Sequence, residues 1–226
     1  MFRVAVVNSK GGAGKTTVAT NLVSYYCSQH LKTALIDYDS QGSSTFWAAT
    51  RTDQYQPVQS IAAHKQSLRV TKSWYLRPEP ATERIVIDSP SGLDIIQFRQ
   101  TLSECDAIII PVLPSSIDIH AVAHFVADLL MQNKDNYERK RIAVIANRVR
   151  KNTLVFQKLE RFLATLGIPF VAVLRDTQEY VKASELGLGI FELDKANSLD
   201  IRSWGPLLKW LDQLAAQDAK QTKHSH

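Results

Sequence analysis

Apolar residues along the chain alternate between two spacings. Short continuous runs occur at 2–8, 32–37, 84–88, 107–111, 141–148 and 167–174, the length and composition of buried strands. Between them the apolar positions recur at helical spacing. Val18, Ala19, Leu22, Val23 and Tyr26 form one such set, and Leu154, Val155, Leu159 and Phe162 another, in a helix expected over 152–166. Further helices are expected over 43–51, from Asp118 to Met131 and from Thr177 to Leu186. A last one should begin after Ser203, with Pro206 in its first turn and Trp204, Leu207, Leu208, Leu211, Leu214 and Ala215 on one face. Strands without a polar face call for helices on both sides. The pattern therefore predicts an α/β fold, a doubly wound and mostly parallel sheet, in one domain over 1–218 with a polar, disordered tail at 219–226. Residues 52–82 have weak periodicity, broken by Pro57, Pro78 and Pro80, with an edge strand near Val58.

Composition narrows this picture. A length of 226 residues suits one such domain with an ample core. Cys27 and Cys105 are the only cysteines and form no C-x-x-C, so they read as buried, reduced thiols of a cytoplasmic protein. No apolar run approaches the ~18–20 residues that span a bilayer, and the N-terminus reads as a core strand instead of a signal peptide. Net charge is +5, but residues 134–182 alone carry eleven Lys/Arg against five Asp/Glu. That local excess fits either a polyanionic partner such as DNA or an ordinary solvated surface.

The chemistry starts where the first strand meets the first helix, at Ser9-Lys10-Gly11-Gly12-Ala13-Gly14-Lys15-Thr16-Thr17. Glycines there let successive N–H groups converge on an anion, and the helix N-terminus adds positive potential. Lys15 would reach the β- and γ-phosphates of a nucleotide, and Thr16 would ligate Mg²⁺. The second strand ends in Asp37-Tyr38-Asp39-Ser40-Gln41-Gly42, which offers Asp39 to orient an attacking water and places Asp37 near the metal. The strand at 84–88 ends in Asp88, a second acid for the cation, so Thr16, Asp39 and Asp88 are the candidate metal set. His120 and His124 stand four apart on a helix but lack a third ligand nearby, and read as surface or interface residues.

The loop reads K-G-G-x-G-K-T-T, with Ser9 where the usual phosphate loop has its first glycine and an extra Lys10. It resembles the deviant Walker A loop of the ParA/MinD family of P-loop ATPases. Further likenesses are the D-x-D-x-Q-G segment, a Trp and Arg near 47 and 51 as in small single-domain members without an N-terminal helix-turn-helix, P-x-x-x-D at Pro114 and Asp118, and Asn147-Arg148. The chain departs from the family's D-T-P-P at Asp88-Ser89-Pro90-Ser91-Gly92, where Ser91 is expected to loosen the loop. The resemblance implies ATP and Mg²⁺ as cofactors, with Lys10 through Thr17 on the phosphates and Asn147 on adenine, unless that asparagine only forms a turn. Lys10, Lys15 and Asp39 would be catalytic, with Lys10 acting across a sandwich homodimer. It further implies a weak ATPase stimulated by a ParB-like or other cargo adaptor, and a cytoplasmic, nucleoid-associated protein that holds nonspecific DNA. Candidate DNA contacts are Arg150, Lys151, Lys158, Arg161, Arg175 and Lys182. The alternative is a MinD-like positioning ATPase whose last helix lies on a membrane; Lys209 balanced by Asp212 and Asp218 argues against that. Iron–sulfur carriers of the same fold need suitably placed cysteines, which are missing, and no small-molecule pocket of a synthetase is evident.

Overall fold

A computed structural model of the protein describes residues 1–65, 76–132, 141–150, 153–165, 167–195 and 198–224. Among these, seven strands form one sheet: β1 (Phe2–Val6), β2 (Thr33–Asp37), β3 (Val58–Ala62), β4 (Arg84–Asp88), β5 (Ala107–Val112), β6 (Ile142–Val149) and β7 (Phe170–Arg175). Their order is β3-β2-β4-β1-β5-β6-β7, and every pairing is parallel. The helices are α1 (Lys15–Ser28), α2 (Ser43–Thr50), α3 (Ile95–Ser103), α4 (Ser116–Gln132), α5 (Leu154–Thr165), α6 (Glu179–Glu185) and α7 (Ser198–His224).

Successive strand residues feed opposite cores, as a period of two requires. Val4, Val6, Leu35, Val86 and Ile109 pack with α1, Trp47 and α7. Ala5, Ala34, Ile36, Ile85, Ile87, Ile108 and Ile110 pack with α3, α4 and α5. The sheet is thus sandwiched, and its apolar runs follow from burial on both faces. Cys27 and Cys105 are free and buried, and burial pushes their thiols up to about 11 and about 12, leaving them inert at neutral pH.

Three expectations need correction. Helix α3 was not among the expected elements, although its signal is present. Asp94 caps it by accepting hydrogen bonds from the Ile96 and Gln97 N–H groups, and Ile95, Phe98 and Leu102 point inward. Helix α7 starts at Ser198, with Pro206 inside it. An interior proline loses one backbone hydrogen bond and crowds the preceding turn, but the buried Trp204, Leu207, Leu208 and Leu211 around it hold the helix through that position, so Pro206 does not mark the first turn. The same helix runs on to His224, because Ala219, Lys220 and Gln221 favour helix; the tail expected from 219 onward is helical that far, and 225–226 lie outside the described residues. Its apolar face docks on the domain's own sheet, with Trp204, Leu207, Leu208, Leu211 and Leu214 buried. Among the described residues no helix is long and apolar enough to cross a membrane.

An internal pin ties α2 to the segment after α6. The Arg51 guanidinium forms a two-point ion pair with Glu192 (Nη2–Oε1 2.6 Å, Nη1–Oε2 3.0 Å) and also donates to the Gly187 and Gln56 carbonyls. Trp47 Nε1 donates to the Leu188 carbonyl at 3.0 Å. Gly187 has φ +67°, and a Cβ there would lie 2.6 Å from Arg51 N and 2.7 Å from Thr50 C. Both neighbours are backbone and cannot yield, so Gly187→Ala is expected to destabilise the fold by about 1–3 kcal/mol, read as a lower urea midpoint with an unchanged m value.

Candidate functional site

The sheet order assembles the site at the carboxyl ends of β1, β4 and β2. Val6 pairs with Asp88, and Asp37 pairs with Asp88, so the phosphate loop and two acids leave the sheet side by side. This is the end at which parallel α/β sheets hold ligands. The loop after β1 is braced from below. Asn8 Nδ2 donates to the Pro111 carbonyl (2.7 Å), and Asn8 Oδ1 accepts from Lys10 N (2.9 Å). Gly14 caps α1 with φ +89°, and a Cβ there would collide with Asn147 Nδ2. Among the described residues no hydrogen bond uses the N–H groups of Gly11, Gly12, Ala13 or Gly14. A row of free amides at a helix N-terminus is suited to an anion.

The Lys15 side chain is folded back over the loop, its Nζ donating to the Lys10 carbonyl at 3.1 Å. Burial lowers its pKa, opposed by the charges of Asp88 and Asp39. Thr16 Oγ1 donates to Asp88 Oδ2 at 2.8 Å, while Asp88 Oδ1 is buried without a hydrogen-bond partner. Burial pushes the Asp88 carboxyl up to about 7; the neighbouring Asp37 adds to this, against the Thr16 hydrogen bond. An orphaned carboxylate oxygen beside a threonine hydroxyl, two hard oxygen donors, fits a divalent cation such as Mg²⁺.

The two acids of the D-x-D segment do different work. Asp37 is fully buried, and its oxygens accept from Asp39 N (3.0 Å), Thr45 N (2.9 Å) and Thr45 Oγ1 (2.8 Å), which anchors the turn to α2. It supports the site without facing it. Asp39 Oδ1 accepts from Gln41 N (3.0 Å), and its Oδ2 accepts from both Ser91 N and Ser91 Oγ (3.1 Å each). Burial alone would raise the Asp39 carboxyl; those hydrogen bonds, with the charge of Lys15, hold it below the ordinary value. Of the candidate metal set, Thr16 and Asp88 come together, whereas Asp39 is engaged by the loop after β4. Ser91 contributes two donors here: a proline at 91 would have no N–H, so the departure from D-T-P-P is what supplies the contact.

Two placements were not legible beforehand. Lys10 Nζ lies 3.3 Å from Asp118 Oδ1, a buried carboxylate that also bonds Ser115 Oγ, so the extra lysine rests on its own protomer. Asn147 is almost completely buried. Its Nδ2 donates to the Ala13 carbonyl (2.9 Å) and its Oδ1 accepts from Arg148 N (3.0 Å), so it props the loop while one N–H and one lone pair remain. Beside it a cavity of about 530 Å³ opens among Thr17, Phe46, Arg148, Thr177 and Tyr180. Around the same end of the sheet, Phe46, Ile96, Ile117 and Leu154 stand in the first turns of α2, α3, α4 and α5, all more than two-thirds exposed.

The basic candidates divide. Arg150 pairs with Asp176 (3.0 Å), Arg175 with Asp200 (3.3 Å) and Lys182 with Glu179 (3.0 Å). Lys158 and Arg161 are exposed on α5 without a carboxylate partner among the described residues, and Lys151 lies outside those residues. His120 and His124 are exposed, and among the described residues no group of three or more His, Cys, Asp or Glu is placed to hold a metal ion.

The chain is similar in sequence and in fold to known proteins. Residues 4–190 match the family described as the CobQ/CobB/MinD/ParA nucleotide binding domain. The chain is 30% identical over 196 residues to the maintenance of carboxysome distribution protein A of Halothiobacillus neapolitanus, covering 85% of this chain and 88% of that protein. In fold it is similar to a putative plasmid partition protein of Borrelia burgdorferi solved with AMPPNP (TM-score 0.70, 18% identity, 94% of this chain and 98% of that one). It is also similar to the MinD cell division protein of Aquifex aeolicus (TM-score 0.68, 17% identity, 96% and 97%).

Proposed function

The chain belongs to the CobQ/CobB/MinD/ParA family of nucleotide-binding domains, and from that premise we propose that it is a ParA-like positioning ATPase, switched between monomer and ATP-bound homodimer. The observation that carries this reading is the meeting of four groups at one crevice: the free loop amides, Lys15, the Thr16–Asp88 pair with its orphaned oxygen, and Asp39.

In the mechanism, the loop amides and Lys15 hold the phosphate chain of ATP. Thr16 and Asp88 would hold Mg²⁺, which would supply positive charge to the phosphate chain. Asp39 orients the water that attacks the γ-phosphate. Lys10 leaves Asp118 and reaches the phosphates bound by the second subunit, so that dimer stability depends on the third phosphoryl group. The exposed Phe46, Ile96, Ile117 and Leu154, each in the first turn of a helix that follows a strand of the site, would be covered by a dimer closed over this end of the sheet. Hydrolysis then returns monomers, and an adaptor protein on the cargo sets the timing.

In this reading the dimer holds DNA without reading its sequence, with Lys158 and Arg161 of α5, unpaired among the described residues, as the leading contacts beside Arg150 and Lys182, whose ion pairs are exposed and weak. Lys158→Glu/Arg161→Glu is expected to weaken ATP-dependent DNA binding at least about tenfold in a gel shift and to flatten its salt dependence. Its affinity for ATP serves as the folding control. DNA binding that ignores ATP would overturn the nucleoid reading, and ATP-dependent flotation with anionic liposomes would favour the MinD-like one.

A further inference from the structure

We infer that Ser91 is a positioning residue for hydrolysis, holding the Asp39 carboxylate through two donors at once. The inference rests on the reading above that Asp39 orients the attacking water. Its basis is geometric. Ser91 N and Ser91 Oγ both lie 3.1 Å from the same oxygen, Asp39 Oδ2, while the other oxygen is held by Gln41 N. A carboxylate fixed at both oxygens has one orientation, whereas an exposed aspartate samples several rotamers.

The segment that carries Ser91 is itself tied to the phosphate loop. Gly92 N donates to the Ser9 carbonyl at 2.9 Å, and Ser89 N donates to the Val6 carbonyl at 3.3 Å. A Cβ placed on Gly11 would stand 3.9 Å from Ser91 Oγ. Ser91 therefore bridges the loop that grips phosphate and the acid that directs water. It links the end of β4 to the end of β2 at the point where a γ-phosphate would be sensed. The residue type matters in a graded way. Threonine keeps both donors, alanine keeps only the N–H, and proline keeps neither.

The test is a graded series with two controls. Ser91→Thr is expected to keep kcat within about twofold, Ser91→Ala to lower it several-fold, and Ser91→Pro to lower it at least about tenfold, since small misplacements of an orienting group cost up to about a hundredfold. KM and the affinity for a fluorescent ATP analogue should stay at the wild-type values throughout. A merely structural role would instead move those values, or the unfolding temperature, together with kcat. The second readout needs no nucleotide: in Asp39→Ala, amide hydrogen exchange over 89–93 should speed up, because Ser91 N loses its acceptor. If Asp39→Ala still hydrolyses ATP, the reading of Asp39 fails. If Asp39→Ala is inactive while Ser91→Ala and Ser91→Pro turn over like wild type, or exchange over 89–93 is unchanged, the inference about Ser91 is overturned.

Discussion

Lys10→Ala is expected to bind ATP, remain a monomer with it, and lose hydrolysis by about 10³-fold or more. The size follows from the comparison with a cation supplied in trans to a transferring phosphoryl group, which accounts for about 10³–10⁵ in kcat. The starting geometry makes the result specific. Lys10 Nζ sits 3.3 Å from Asp118 Oδ1, and its own side chain is more than a third exposed. Only the lysine end of the pair is exposed; Asp118 is buried and keeps its hydrogen bond from Ser115 Oγ, so Lys10 can swing away, and thermal unfolding reads what its loss costs the monomer. Binding and folding are then separated from dimerisation. Sedimentation with a non-hydrolysable ATP analogue, thermal unfolding and steady-state turnover together decide the matter. A dimer of wild-type strength with wild-type turnover would remove the switch from the proposed function.

The second large effect concerns stability. Arg51→Ala should cost about 3–5 kcal/mol, measured by urea unfolding, because it strands the Glu192 carboxylate in the interior. Both side chains of the pair are buried, at 5% and 6% exposure, so solvent cannot take over the lost partner. The same change also frees the Gly187 and Gln56 carbonyls and removes the guanidinium stacked over Trp47. Replacing both partners, as in Arg51→Met/Glu192→Leu, should recover most of the loss, since two apolar side chains leave no buried charge behind. If Arg51→Ala unfolds at the wild-type urea concentration, the pin is not a determinant of stability. The site would then have to be held by the sheet alone.

Local pattern determined a great deal. Six of the seven strands were visible as apolar runs, because a parallel sheet covered on both faces demands mostly apolar residues, and that demand is met within a few neighbours in sequence; the edge strand β3, Val58–Ala62, is only partly buried and left a weaker trace. The phosphate loop was visible for a similar reason: glycines, Lys15 and Thr16 must follow one another to wrap an anion. What only the tertiary structure decided were the meetings of residues far apart in sequence. Strand β4 inserts between β2 and β1 and so brings Asp88 to Thr16 and Asp37. Ser91 meets Asp39 across 52 residues, and Arg51 meets Glu192 across 141. Periodicity reports whether a position is buried but not against what; the partner follows from the order of strands and from which hydrogen-bonding groups burial leaves unsatisfied.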